Sequence, residues 1–164
     1  MDHALSLNGD ITVSLDSDLV ASNFTGIYTG QATINATNVT FADNSKDMEL
    51  FSDVTLRLDS SIVEDAIQET GTNLTCVITY SRGPTTSGDP CQTFQTSADP
   101  GFVDAALGDY HLASGSALID KGNPTAPPSG SQDIDGDARA LDGPDGGGCG
   151  GAPRRDIGAD EYRC

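Results

Sequence analysis

The chain has 164 residues, 36% of them hydrophobic, and a formal charge of −17 from 25 acidic and 8 basic side chains. That length fits one domain, and so thin an apolar share excludes a core of packed amphipathic helices. A field of this sign repels phosphate, which argues against nucleic acid and anionic membrane as partners.

Twenty-one of the acids are Asp and only four are Glu. Asp is a turn former whose short carboxylate caps backbone N–H groups, so the acidity decorates turns rather than helix faces. With 19 Gly and 8 Pro, the expected structure is many short strands joined by turns.

The first ten residues, MDHALSLNGD, have no basic start and no apolar core, so they do not form a secretory signal. No segment reaches the length of a membrane span, which predicts no membrane insertion. The stretch reads as the interior of a longer secreted chain with an added or internal Met1.

A repeat follows. VSLDSDLVASN (13–23), INATNVTFADN (34–44) and LRLDSSIVEDA (56–66) align at offsets of 21 and 22 residues, and a weaker fourth copy is read from Val77. The first position of each copy is Val13, Ile34, Leu56 and Val77, and the third is Leu15, Ala36, Leu58 and Thr79. Apolar and polar residues alternate, the period of a half-buried strand.

A fixed period of this length marks a solenoid, whose units bury their apolar faces only by stacking. Helical and leucine-rich repeats lack their signatures here, and an evenly spaced β-sandwich is the remaining alternative. The expected fold is all-β: a single-stranded right-handed parallel β-helix of about 21–22 residues per coil, with room for roughly seven coils and irregular C-terminal closing coils. Like residues then stack in files. Ser17, Asn38, Ser60 and Ser81 are expected at one corner, and Val20, Phe41 and Val63 inside.

Four cysteines, Cys76, Cys91, Cys149 and Cys164, match no zinc or C-x-x-C spacing and are candidates for disulfides. Sequential pairing, Cys76 with Cys91 and Cys149 with Cys164, closes two short loops worth ~3 kcal/mol each. Such bonds imply an oxidising compartment.

From Asp99 onward the text changes. DPGFVD (99–104), GDYHL (108–112), SGS (114–116), IDKG (119–122), DIDGDAR (133–139) and DIGADE (156–161) occur in order. This series resembles the C-terminal end of choice-of-anchor Q domains, bacterial right-handed β-helix proteins of the pectate-lyase-like superfold. The resemblance implies a secreted or cell-surface protein in which residues 1–98 form regular coils and 99–164 form the end that caps them. Two departures stand out: the sequence after these motifs runs to Cys164 without an anchor-like segment, so cell attachment is not expected from them, and GPDGGGCGGAPRR (143–155) is an insertion.

Chemistry is sparse in the sequence. His3 and His111 have no nearby nucleophile, and His111 reads as an exposed strand residue. Asp16 and Asp59 flanking Thr37, with Arg57, sketch the carboxylates and base of a polysaccharide lyase, although a solvated face explains them as well. Asp133, Asp135 and Asp137 could converge on Ca²⁺, but Gly136 and Pro144 occupy the wrong positions for an EF-hand, and an Asx-capped turn is the competing reading. The N-x-T triplets at Asn23, Asn35, Asn38 and Asn73 arise from strand alternation.

The sequence therefore points to a non-catalytic extracellular module, structural, adhesive or glycan-binding. Its expected partners are a glycan or a cell-surface protein, and its uncapped first coil is expected to self-associate. The alternative is part of a polysaccharide lyase or glycoside hydrolase whose catalytic coils lie upstream.

Overall fold

The computed structural model describes residues 2–84, 90–125, 131–139 and 154–163. The chain is all-β and winds into a parallel β-solenoid of about 4 turns. Its strands are β1 (His3–Asp16), β2 (Leu19–Ala21), β3 (Thr25–Thr37), β4 (Thr40–Ala42), β5 (Met48–Leu50), β6 (Thr55–Asp59), β7 (Ile62–Val63), β8 (Gln68–Glu69) and β9 (Thr75–Thr79).

Three faces result. The first stacks the N-terminal half of β1 on that of β3, then β5 and β8. The second stacks the C-terminal halves of β1 and β3, then β6 and β9. The third is β2, β4 and β7.

The corners explain why polar residues recur at fixed positions. Ser17, Asn38, Ser60 and Tyr80 all have φ between 47° and 58° and turn the second face into the third. Gln31, Asp53 and Asn73 do the same between the first and second faces, and Ser22 and Asp43 between the third and first. A left-handed residue bends the chain sharply within one position, and Ser, Asn and Asp tolerate it because their side chains bond locally. In Asn23 and Asn44 the file becomes a ladder: Asn23 Nδ2 donates to Asn44 Oδ1 at 3.1 Å.

Inside the coils Ile34, Leu56 and Phe41 are fully buried, with Val20 and Val63 above and below Phe41. Burying each such side chain stabilises by ~1.5–3 kcal/mol.

The fourth repeat is shifted from its expected register. Leu56 pairs with Cys76 and Leu58 with Ile78, 20 residues on, so Cys76 and Ile78 face the core while Val77 is 42% exposed. Tyr80, and not Ser81, is the corner residue. The cause lies in two corners: Phe41 to Glu49 takes eight steps and the equivalent Val63 to Gln68 five, while Leu50 to Thr55 takes five and Glu69 to Thr75 six, so this coil shortens from 22 residues to 20. A one-residue slip exchanges inside and outside, which is why the periodic alignment misplaced these side chains.

Four turns form rather than seven because the chain leaves the spiral after Arg82, which bridges Ile62 and Thr96. Residues 90–96 close the last coil: Cys91 is buried, Phe94 packs on the core, and Gln92 Nε2 donates to the Ile67 carbonyl at 2.7 Å. Cys91 is disulfide-bonded to Cys76, with a Cα separation of 5.1 Å. Cys149 and Cys164 lie outside the described residues.

The described part of 99–163 departs from the coil period. It forms the antiparallel pair β10 (Phe102–Asp104) and β11 (Asp109–Leu112) and then lies along the flank of the stack. Arg139 bonds Ser17, Arg155 bonds Asn38, and Asn123 bonds Ser60, one contact for each of three coils. Beneath it Leu112, Leu118 and Ile157 bury Ile62 in a second small core.

Candidate functional site

The second face presents three files of outward side chains. Thr12, Thr33, Thr55 and Thr75 form one; Ser14, Asn35, Arg57 and Val77 the next; Asp16, Thr37, Asp59 and Thr79 the third. Their order follows from strand alternation, and successive rungs sit ~4.8 Å apart. A cleft of about 330 Å³ lies among Ser14, Asp16, Asn35, Thr37 and Asp59, with Arg155 and Ser131 of the flanking segment as its wall. A hollow of about 280 Å³ adjoins it around Arg57, Thr79 and Val77. The face is open and lined largely by polar side chains.

The lyase-like set lies on this face but is not assembled as a base pair. Asp16 and Asp59 stand two rungs apart, ~9.6 Å, with Thr37 between them. Asp59 is already engaged: Asn123 Nδ2 donates to both its oxygens at 3.1 Å, Thr79 Oγ1 donates at 2.9 Å, and Arg155 Nη2 stands 3.3 Å away. A carboxylate so held binds and positions; it is poorly placed to take a proton from a substrate. Arg57 is exposed.

The acidic motifs of the flanking segment do internal work. Asp156 accepts the N–H of Asp120 and of Tyr162, both at 2.7 Å, and Glu161 accepts the N–H of Asp156 at 3.0 Å. Burial pushes the Asp156 carboxyl up to about 7, with the Glu161 charge adding to it. Arg139 is buried, donates to the carbonyls of Ala159 and Asp160, and pairs with Glu161 at 3.5 Å. Burial draws its pKa down and the Glu161 charge opposes that.

Irregular backbone has no ladder to satisfy its N–H groups, and these carboxylates supply the missing acceptors. Gly158 (φ 111°) completes the fit, since a Cβ there would stand 2.6 Å from Ile62 Cδ1. None of these roles was visible from residue type and spacing alone.

No protein-family model, curated protein or solved structure matches this chain.

Asp133, Asp135 and Asp137 turn to three different partners. Asp133 Oδ1 accepts the N–H groups of Asp135 (2.9 Å) and Asp137 (2.7 Å), and its Oδ2 accepts that of Glu161 at 3.1 Å, an Asx-type turn. Asp137 pairs with Arg163. Asp135 Oδ2 stands 3.1 Å from His111 Nε2.

His111 is half-buried on β11 and held by Asp109, whose Oδ1 lies 2.6 Å from Nδ1. That contact raises the imidazole's pKa and lowers the Asp109 carboxyl's. Asp160 lies on the same side, buried, with its Oδ2 accepting the Leu112 N–H at 2.7 Å. Burial raises its carboxyl. Sequence reasoning missed this group because its members are 24 and 25 residues apart, on segments with no shared period.

Proposed function

We propose that the protein is a non-catalytic extracellular β-helix module that binds an extended glycan along its second face. The observation that carries this reading is the set of in-register hydrogen-bonding files on that face, walled on one side by the flanking segment. A rigid sheet repeats donors and acceptors at ~4.8 Å along the stack, which suits a polymer better than a small enclosed ligand. The Cys76–Cys91 disulfide supports a secreted or cell-surface setting. The ordered motifs after Asp99 support placement with the choice-of-anchor Q proteins, the flanking segment acting as a brace for the coils.

Glycan-array binding tests it. Polymer binding is expected, lost in Asn35→Ala and Arg57→Ala with thermal midpoints unchanged. Absence of binding to any glycan overturns the reading, and release of an ultraviolet-absorbing unsaturated product replaces it with a lyase.

Self-association through β1 belongs to the same proposal. Its inward Leu5, Leu7, Val13 and Leu15 are only partly buried, and its outer edge is unpaired among the described residues, a template for another strand. Sedimentation that does not change with concentration would rule this out.

A further inference from the structure

We propose that His111, Asp135 and Asp160 hold a divalent transition-metal cation of the zinc type, which staples the flanking segment onto β11. The site shares no residue with the glycan-binding face and stands or falls separately from it.

The three side chains come from β11, the turn of DIDGDAR and the DIGADE motif. One donor atom from each lies within 4.8 Å of the other two. Donors bonded to one such ion at ~2.0–2.2 Å stand ~3.4 Å apart in a tetrahedral array. The set therefore closes by a contraction that the exposed Asp135 and half-buried His111 side chains can supply.

The surroundings prepare the group for a cation. Asp109 Oδ1, 2.6 Å from His111 Nδ1, makes that nitrogen the N–H and turns the Nε2 lone pair into the site. Metal-ligating histidines are oriented by just such an outer carboxylate. Nε2 is shielded from solvent, and its near polar neighbour among the described residues is Asp135 Oδ2, 3.1 Å away. Two electron-rich atoms at that separation repel unless a positive charge stands with them.

Asp160 is 6% exposed; its Oδ2 takes the Leu112 N–H, and its second oxygen makes no hydrogen bond among the described residues. Asp133 then bonds the backbone of both Asp135 and Glu161, which fixes the two acidic segments against each other before any ion arrives.

The donor set also selects the ion. Ca²⁺ and Mg²⁺ take oxygen ligands, whereas an imidazole nitrogen beside two carboxylates suits zinc and its first-row neighbours. The competing occupant of the same position is a proton on Nε2, bridging Asp109 and Asp135.

The full chain, stripped with EDTA, is titrated calorimetrically with ZnCl₂ and with CaCl₂. One equivalent of Zn²⁺ is expected, at least tenfold tighter than Ca²⁺, with a rise in thermal midpoint and a visible d–d band when Co²⁺ replaces Zn²⁺. His111→Gln and Asp135→Asn should each weaken Zn²⁺ at least tenfold, with metal-free circular dichroism unchanged. Asp137→Asn and His3→Gln should leave the affinity as it was. No Zn²⁺ binding, equal affinity in His111→Gln, or Ca²⁺ binding tighter than Zn²⁺ would each overturn the proposal.

Discussion

Arg155 Nη2 stands 3.3 Å from Asp59 Oδ2, an ion pair that ties the flanking segment to the third coil across 96 residues of chain. The same guanidinium bonds Asn38 Oδ1 in the second coil at 3.1 Å and the carbonyls of Asn123 and Thr125 in its own segment. One planar fork thereby joins two coils and two turns of the brace, geometry that an ammonium does not reproduce.

Replacing Arg155 with Met leaves Asn38 and Asp59 short of a partner in a largely buried setting. Loss of one member of such a pair costs ~3 kcal/mol, read as a lowered urea midpoint. Arg155→Lys is expected to recover less than half of the loss. A midpoint unchanged in Arg155→Met would mean that the flanking segment does not brace the coils.

Gly158 occupies a backbone conformation at φ 111° and lies against Ile62 and Thr40. Gly158→Ala adds both strain and overlap, and a destabilisation of ~2–3 kcal/mol is expected. Ile62→Val in the same chain removes the atom nearest the new Cβ. Denaturation of the double variant should therefore show a smaller loss than the sum of the singles.

The Cys76–Cys91 bond spans 15 residues between β9 and the segment that closes the last coil. Substituting both cysteines with Ser is expected to cost ~3 kcal/mol. Hydrogen exchange should show faster opening in β9 than in β3. Uniform acceleration across all coils would contradict a bond that acts on the final turn.

Buried carboxyls set the pH dependence, Asp47 and Asp156 foremost, with Asp160 shifted in the same direction. Burial pushes Asp47 up to about 6, against the bonds from Asn44 and from the Asp65 and Glu64 N–H groups, and pushes Asp156 up to about 7. The folded state holds these protons more tightly than the unfolded chain, whose ordinary value is 3.8. Their contribution is complete below about pH 4 and is lost as pH rises through about 6 and 7. The contributions are on the order of 3 kcal/mol for Asp47 and about 4 kcal/mol for Asp156. Thermal midpoints should fall from about pH 4 to about pH 7, and Asp47→Asn should flatten the part of the slope between about pH 4 and pH 6. A midpoint that rises over this range would refute the assignment.

The coil stack was legible in the sequence because each strand pairs with its nearest repeat. Val13, Ile34 and Leu56 share a file, and so do Ser17, Asn38 and Ser60, through a period that the text displays directly. Alternation also assigned Val20, Phe41 and Val63 to the interior, since a strand's two faces differ by one residue.

What the period could not convey was any contact between segments that do not repeat. The altered corners after Val63 and Glu69 slipped β9 by one residue, and Arg139, Arg155 and Asn123 found corner residues 63 to 122 positions away. The meeting of His111, Asp135 and Asp160 likewise depends on how an irregular segment lies against the coils. Local pattern determines which side chains face inward within a coil. Only packing of the flank decides which of the many acids end beside a backbone N–H, a guanidinium or an imidazole.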